Sequence, residues 1–368
     1  MSDREGISKL SAATLSVWGG EEDPLVQGAT QVPVVYSAAY EYPDVDAWLD
    51  VTLGRRAGHI YSRNTNPTVQ AFETKVRLLE GAPAATSFAT GMAAISNTLF
   101  TLLSPGDRIV SVKDSYGGTN KLFLEFLPRF GIRVDLYETA DHDRIEAAVA
   151  AGCKVVYLES PTNPTLKVVD IARLAAAGHA AGATVVTDNT FATPINQNPL
   201  ALGADLVIHS ATKYLGGHAD VLGGVICGNP NLVKKVYHYR EITGATLDPM
   251  AAYLLIRSMK TLALRIGRQN ESALRVAQWL EARPAVSVVN YPGLATHPGH
   301  EIAARSSGVH STWLVVAGGP ATVSTAPRLA ARWASLRRGS TRFTASKPPS
   351  RPKLSMPPKP RICRAAIS

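Results

Sequence analysis

Short apolar, β-branched runs alternate with stretches of helical period through the middle of the chain. Strand-like runs fall at 85–89, 108–112, 132–137, 154–158, 183–187 and 205–209, separated by helical stretches near 91–103, 118–129, 141–151 and 170–181. This alternation predicts an α/β fold, a mainly parallel sheet with helices on both faces. Gly223-Gly-Val-Ile-Cys227 is a candidate for one further strand, parallel or antiparallel. Pro67 opens a helix at its favoured first position, with Val69, Phe72, Val76 and Leu79 on one face and Gly81 as its stop.

The remaining elements divide the chain. Residues 1–60 carry few helix signals and several prolines, and read as an arm lying over a partner subunit. Residues 61–255 form the α/β domain. A long helix over 250–281 leads into a small C-terminal domain over 256–305, with Ala285 to Asn290 as its first strand. Residues 306–368 form a tail.

Charge sharpens that last boundary. From Ile302 to Ser368 there are twelve Lys and Arg but no Asp or Glu, which leaves residues 1–301 with 26 basic and 29 acidic side chains. The overall +9 therefore belongs to the tail, and a Pro- and Ser-rich basic end reads as a disordered segment. Nucleic-acid binding by the tail is disfavoured because the body of the chain is acidic and few aromatic residues, Trp313, Trp333 and Phe343, are interleaved through the tail's charges. The abrupt loss of acids and of helical period after Arg305 also fits an altered reading frame.

The rest of the composition describes a soluble enzyme. With 368 residues, 45% of them apolar, the chain can bury a large core. It has no run of eighteen apolar residues and its N-terminus lacks a signal peptide's apolar core, so a cytoplasmic location without a membrane span is expected. Cys153, Cys227 and Cys363 are too few and too scattered for a disulfide framework or metal cluster.

The candidate chemistry clusters at strand ends. Ser210-Ala-Thr212-Lys213-Tyr214-Leu-Gly216-Gly217-His218 places a lysine between hydroxyls and a glycine pair directly after an apolar strand. A partly desolvated, rigidly held lysine suits Schiff-base chemistry, and the neighbouring hydroxyls suit a phosphate. Asn163, in Glu159-Ser-Pro-Thr-Asn163-Pro164, and Asp188, in Thr187-Asp188-Asn189-Thr190, lie at the ends of preceding strands, where open α/β sheets collect ligands. These residues together match the needs of pyridoxal phosphate (PLP). Lys213 takes its aldehyde and Asp188 keeps the pyridine nitrogen protonated. Asn163 donates to the phenolate oxygen, and Ser210 and Thr212 bind phosphate. Gly91, opening a helix after a strand, lets further backbone N–H groups approach an anion. Taken singly, Asp188 fits a turn cap and Tyr116 a packed aromatic. A PLP-free aldolase lysine would leave Asp188 and the phosphate elements unused. His218 and Asp220 read as structural.

The segments Tyr61-Ser-Arg63-Asn-Thr-Asn66-Pro67-Thr68 and Lys113-Asp-Ser-Tyr116-Gly117-Gly118-Thr119, in order with those above, resemble the Cys/Met-metabolism family of PLP enzymes from about residue 25 to about 305. The family contains cystathionine γ-synthase, cystathionine γ-lyase, methionine γ-lyase and homoserine-ester sulfhydrylases. The resemblance implies fold type I, the aspartate aminotransferase-like fold, with a seven-stranded sheet and a small C-terminal domain, incomplete here. It also implies amino-acid substrates and a homodimer or homotetramer with shared sites. In that arrangement Tyr61 and Arg63 bind phosphate across the subunit interface, Gly91 and Met92 bind it through backbone amides, and Tyr116 stacks on the ring. Lys213, Tyr116 and Tyr61 are the expected catalytic residues. The family's arginine for the substrate carboxylate has no match after Arg305. The expected reaction is γ-replacement or elimination on homoserine-derived amino acids. Cystathionine γ-synthase is the first reading, and a γ-lyase or an impaired PLP-binding relative are the alternatives.

Overall fold

Seven strands build the central sheet in the order β1-β7-β6-β5-β4-β2-β3. They are β1 Ala84–Phe88, β2 Arg108–Val112, β3 Arg133–Tyr137, β4 Val155–Glu159, β5 Thr184–Asp188, β6 Leu206–His209 and β7 Gly224–Gly228. Pairing is parallel from β3 through β6, and β7 alone runs antiparallel, between β6 and β1. The structure, a computed structural model, describes residues 10–21, 29–307 and 315–318. These fall within one compact unit, Met1–Thr325; Ala326–Ser368, most of the predicted tail, its altered frame and Cys363 lie outside the described residues.

Successive strand residues serve opposite faces. Ile109, Val155, Tyr157, Val186, Leu206, Ile208 and Ile226 pack with Ala94, Ile95 and Leu99 of the Gly91–Leu102 helix. Val110, Val112, Val156, Leu158 and Val185 pack instead against the helices His142–Ala150 and Ile171–Ala180. Most of the longer helices start where a side chain satisfies free N–H groups. Asn66 accepts from Thr68 and Val69 ahead of the Pro67–Leu79 helix, and Thr90 accepts from Ala93 N at 3.0 Å ahead of Gly91–Leu102.

Several elements differ from the sequence reading. The arm holds two helices, Ala12–Trp18 and Val45–Thr52, capped by Ser11 and Asp44. The first is pinned by fully buried Lys75, which donates to Ser16 O at 3.2 Å, Val17 O at 3.0 Å and Glu21 Oε1 at 2.8 Å. The helix expected near 118–129 begins as Gly117–Lys121, widens to a π turn over Leu122–Phe126 and tightens to a 3₁₀ turn over Leu127–Phe130, where Pro128 cannot donate. The helix expected over 250–281 is two, Pro249–Met259 and Leu262–Glu281, broken at Lys260 and Thr261. At the break Arg265 donates to Ser258 O at 3.1 Å and to Thr261 Oγ1 at 3.1 Å. The helix Pro230–Thr243 went unread, although Asn229 caps it and Gly244 ends it in the left-handed region. In the smaller region, β8 Val286–Asn290 pairs antiparallel with β9 Val315–Gly318, so ordered chain continues past residue 305.

Candidate cofactor and active site

The carboxyl ends of β2, β4, β5 and β6 carry, in turn, Tyr116, Asn163, Asp188 and the Lys213 loop, and β1 delivers Gly91 beside them. Glu159 and Asp188 are direct partners in the β4–β5 register, so both side chains project from the face covered by the Gly91–Leu102 helix.

Asp188 is buried. Its Oδ1 accepts from Thr190 N at 3.0 Å, and the Tyr157 hydroxyl approaches Oδ2 at 3.4 Å. Burial pushes its carboxyl above the usual range, against the hydrogen bonds from Thr190 and the nearby His209. A buried carboxyl in this condition calls for a cation, and a protonated pyridine nitrogen is one. Glu159 is buried too, and burial followed by the charge of Asp188 holds it well above the carboxylate range. Its Oε2 accepts from Tyr116 N at 2.8 Å and its Oε1 from Asn163 N at 2.8 Å.

The segments expected to bind phosphate converge. A Cβ on Gly91 would lie 2.6 Å from both Cβ and Oγ of Ser210, so the start of the helix and the end of β6 meet only because Gly91 has no side chain. Ser210 N donates to Thr190 Oγ1 at 2.8 Å. Thr212 Oγ1 accepts from Gly223 N at 3.1 Å and gives its single hydrogen to Gly223 O at 3.3 Å, so phosphate would compete with Gly223 for that donor. Met92 Sδ and the Tyr116 ring flank Gly118, whose added Cβ would meet them at 2.8 and 2.7 Å.

Lys213 is exposed, whereas the sequence reading has it partly desolvated. The loop turns Ala211 and Leu215 into the core and leaves the lysine outward. Arg265, which the sequence reading passed over, braces this loop: it donates to Tyr214 O at 2.9 Å and lies against Gly217, whose φ is +71°. Glu159, Thr190 and Tyr157 were likewise unassigned. Glu159 and Thr190 stood inside the recognised motifs, but Arg265 had no local signal because only the tertiary fold brings it to the loop. His218 bonds Gly216 O at 2.7 Å and stays outside the cluster.

Tyr61 and Arg63 sit elsewhere. The Arg63 guanidinium lies 5.5 Å from the Tyr61 ring centre and donates to Glu241 O, while Asn64 donates to the Glu241 carboxylate. They line an open cavity of about 340 Å³ with Ala38, Leu247 and Asp248. Among the described residues no hydrogen bond or ion pair links either to Lys213, Asp188, Tyr116 or Ser210. Also among the described residues, no group of three His, Cys, Asp or Glu could hold a metal ion, and no helix is long and apolar enough to cross a membrane.

A lysine loop, a buried carboxyl and a glycine-opened helix start at the ends of a mostly parallel seven-stranded sheet fit a PLP-dependent enzyme of fold type I. The chain belongs to the Cys/Met metabolism PLP-dependent enzyme family, which it matches over residues 13–317, a longer reach than the motifs alone marked. It is 45% identical over 298 residues to cystathionine γ-synthase 1, chloroplastic, of Arabidopsis thaliana, covering 80% of this chain and 53% of that protein. It is 41% identical over 302 residues to L-methionine γ-lyase of Pseudomonas putida, covering 81% and 76%. The crystal structure of cystathionine γ-lyase from Lactobacillus plantarum complexed with L-serine superposes with a TM-score of 0.79 at 36% identity, covering 84% of this chain and 79% of that one. The chain thus spans about half of the Arabidopsis protein and about three quarters of the Pseudomonas one.

Proposed function

We propose that this chain catalyses γ-replacement on an activated homoserine ester with cysteine, as a cystathionine γ-synthase does. The supporting observation is Gly118. Its position after Tyr116-Gly117 is typically a cysteine in methionine γ-lyases, and any Cβ there would crowd both the Tyr116 ring and Met92 Sδ. Elimination by a γ-lyase is the second reading, because synthases and lyases match the chain at comparable identity.

PLP, when bound, supplies an aldehyde for the substrate amine and a ring that withdraws electrons from Cα. Lys213 would hold that aldehyde at rest and serve as the base that takes the Cα proton and then moves protons at Cβ. Asp188 would keep the ring nitrogen protonated, Tyr116 would stack on the ring, and Asn163 would donate to the phenolate oxygen. Ser210, Thr212 and the N–H groups of Gly91 and Met92 would hold the phosphate. Tyr61 and Arg63 of the partner subunit complete that site in a homo-oligomer, consistent with their separation from Lys213 within one chain. Tyr116 or Tyr61 of the partner subunit protonates the leaving group. A thiol entering at Cγ gives replacement; release and hydrolysis instead give a 2-oxoacid and ammonia.

The purified chain is tested by its visible spectrum with PLP, then with O-succinylhomoserine and cysteine. Cystathionine formation, with a cofactor band that is lost in Lys213→Ala, is expected. A 2-oxoacid from cystathionine without synthesis would favour the lyase. A band without turnover of either kind would indicate a relative lacking the carboxylate arginine.

A further inference from the structure

We propose that Glu159 is a positioning residue of the cofactor site, whose carboxylate ties the backbones of Tyr116 and Asn163 to the strand end beside Asp188. The inference rests on the PLP reading above. Glu159 ends β4, between β2, which leads to Tyr116, and β5, which ends in Asp188. One oxygen holds the Tyr116 N–H and the other the Asn163 N–H, each at 2.8 Å. A backbone N–H fixed in this way sets where its residue's Cα–Cβ bond points. One carboxylate therefore aims both the ring expected to stack on the cofactor and the amide expected to reach its oxygen.

Simple loop capping does not account for this choice of side chain. Glu159 is 5% exposed and is the direct register partner of Asp188, which is 6% exposed. Two buried carboxyls side by side oppose each other's ionisation, yet both N–H groups need an acceptor, and an amide of the same length has only one oxygen to offer them. Strained charge of this sort collects where function needs it. Burial and Asp188 both raise the affinity of Glu159 for a proton, and a cation delivered to Asp188 would relieve both groups.

The test compares Glu159→Gln, Glu159→Asp and Glu159→Ala with the full chain. It measures PLP affinity by equilibrium dialysis, the visible circular dichroism of the bound cofactor, and amide exchange at Tyr116 and Asn163 in the apoprotein. Glu159→Gln offers an NH₂ to one of two N–H groups. It is expected to bind PLP about tenfold or more weakly, with a diminished dichroic band and faster exchange at one of the two amides. Glu159→Asp keeps both acceptor oxygens and is expected to recover part of the dichroic band, which Glu159→Ala does not. Parent-like affinity and dichroism in Glu159→Gln, or no difference between the Asp and Ala variants, would overturn the proposal. A parent that binds no PLP would refute the cofactor reading instead, and apoprotein exchange would still decide whether Glu159 ties the two loops.

Discussion

Gly91 and Ser210 touch across the gap between the helix after β1 and the loop after β6, so closely that a methyl on Gly91 would lie 2.6 Å from the serine Cβ and Oγ. Gly91→Ala must push one segment away from the other, at about 1–3 kcal/mol for overpacking. The expected outcome is a lower apoprotein melting temperature together with PLP binding weakened about tenfold or more, read by fluorescence titration. Unchanged affinity would mean that the two segments do not share the phosphate.

Glu80 anchors the site from beneath. Its buried carboxylate bonds His209 Nε2 at 2.6 Å, Asn189 Nδ2 at 2.9 Å and Asn198 Nδ2 at 3.3 Å, and so holds the residues adjoining Asp188 and Ser210. Glu80→Ala strands these polar groups in the core and is expected to cost about 3 kcal/mol or more in urea unfolding. Glu80→Gln, which keeps an acceptor, is expected to lose less.

His297 should make the fold lose stability as pH drops below neutrality. Burial, helped by nearby His300 and opposed by a bond to the Leu166 backbone carbonyl, lowers the proton affinity of His297, and its Nδ1 accepts from Gly299 N at 3.0 Å. The unfolded chain then binds more protons, so this contribution is present above the ordinary histidine pKa, about 6.5, and is lost as pH falls below it. Burial lowers His59 in the same sense. His297→Asn keeps an acceptor without titrating. Its melting temperature is expected to fall less than the parent's between pH 7.5 and 5.5; parallel curves would rule His297 out. Glu73, Asp188 and Glu159, raised chiefly by burial, act with the opposite sign but are common to both proteins and cancel in the difference.

Arg63→Ala is expected to weaken PLP binding about tenfold while leaving Gly91, Ser210 and Lys213 untouched. Mixed oligomers of Arg63→Ala and Lys213→Ala should recover a fraction of functional sites. Parent-like affinity in Arg63→Ala, or no recovery on mixing, would place phosphate binding wholly within one chain.

Much of this organisation was legible in the sequence. Strand candidates such as 154–158 and 183–187 fall within a residue of β4 and β5, because each is a β-branched run closed by turn chemistry. The strand-end positions of Asn163, Asp188 and the Lys213 loop were legible for a related reason: strand ends punctuate sequence as well as structure. The relation between Glu159 and Asp188 was not, since register is a property of pairing and neither local run encodes it. The break at Lys260 was hidden for another reason. Its Lys260 pairs with Glu21, far away in sequence, at 2.7 Å, and Glu21 also binds Lys75 Nζ at 2.8 Å.

The antiparallel strand β7 has a consequence for the order in which the molecule can be made. It joins Ala84 to Gly228 in one ladder and Gly228 to Leu206 in the other, so β1 enters the sheet only after the chain has been synthesised as far as β7. Local helices and β2 to β6 can form as the chain lengthens, whereas the meeting of Gly91 with Ser210 must wait for this last, most distant pairing and its loop-closure entropy. A growing chain therefore brings Gly91 to Ser210 late and in a single event, so that a ligand held between them would report that the whole sheet has closed.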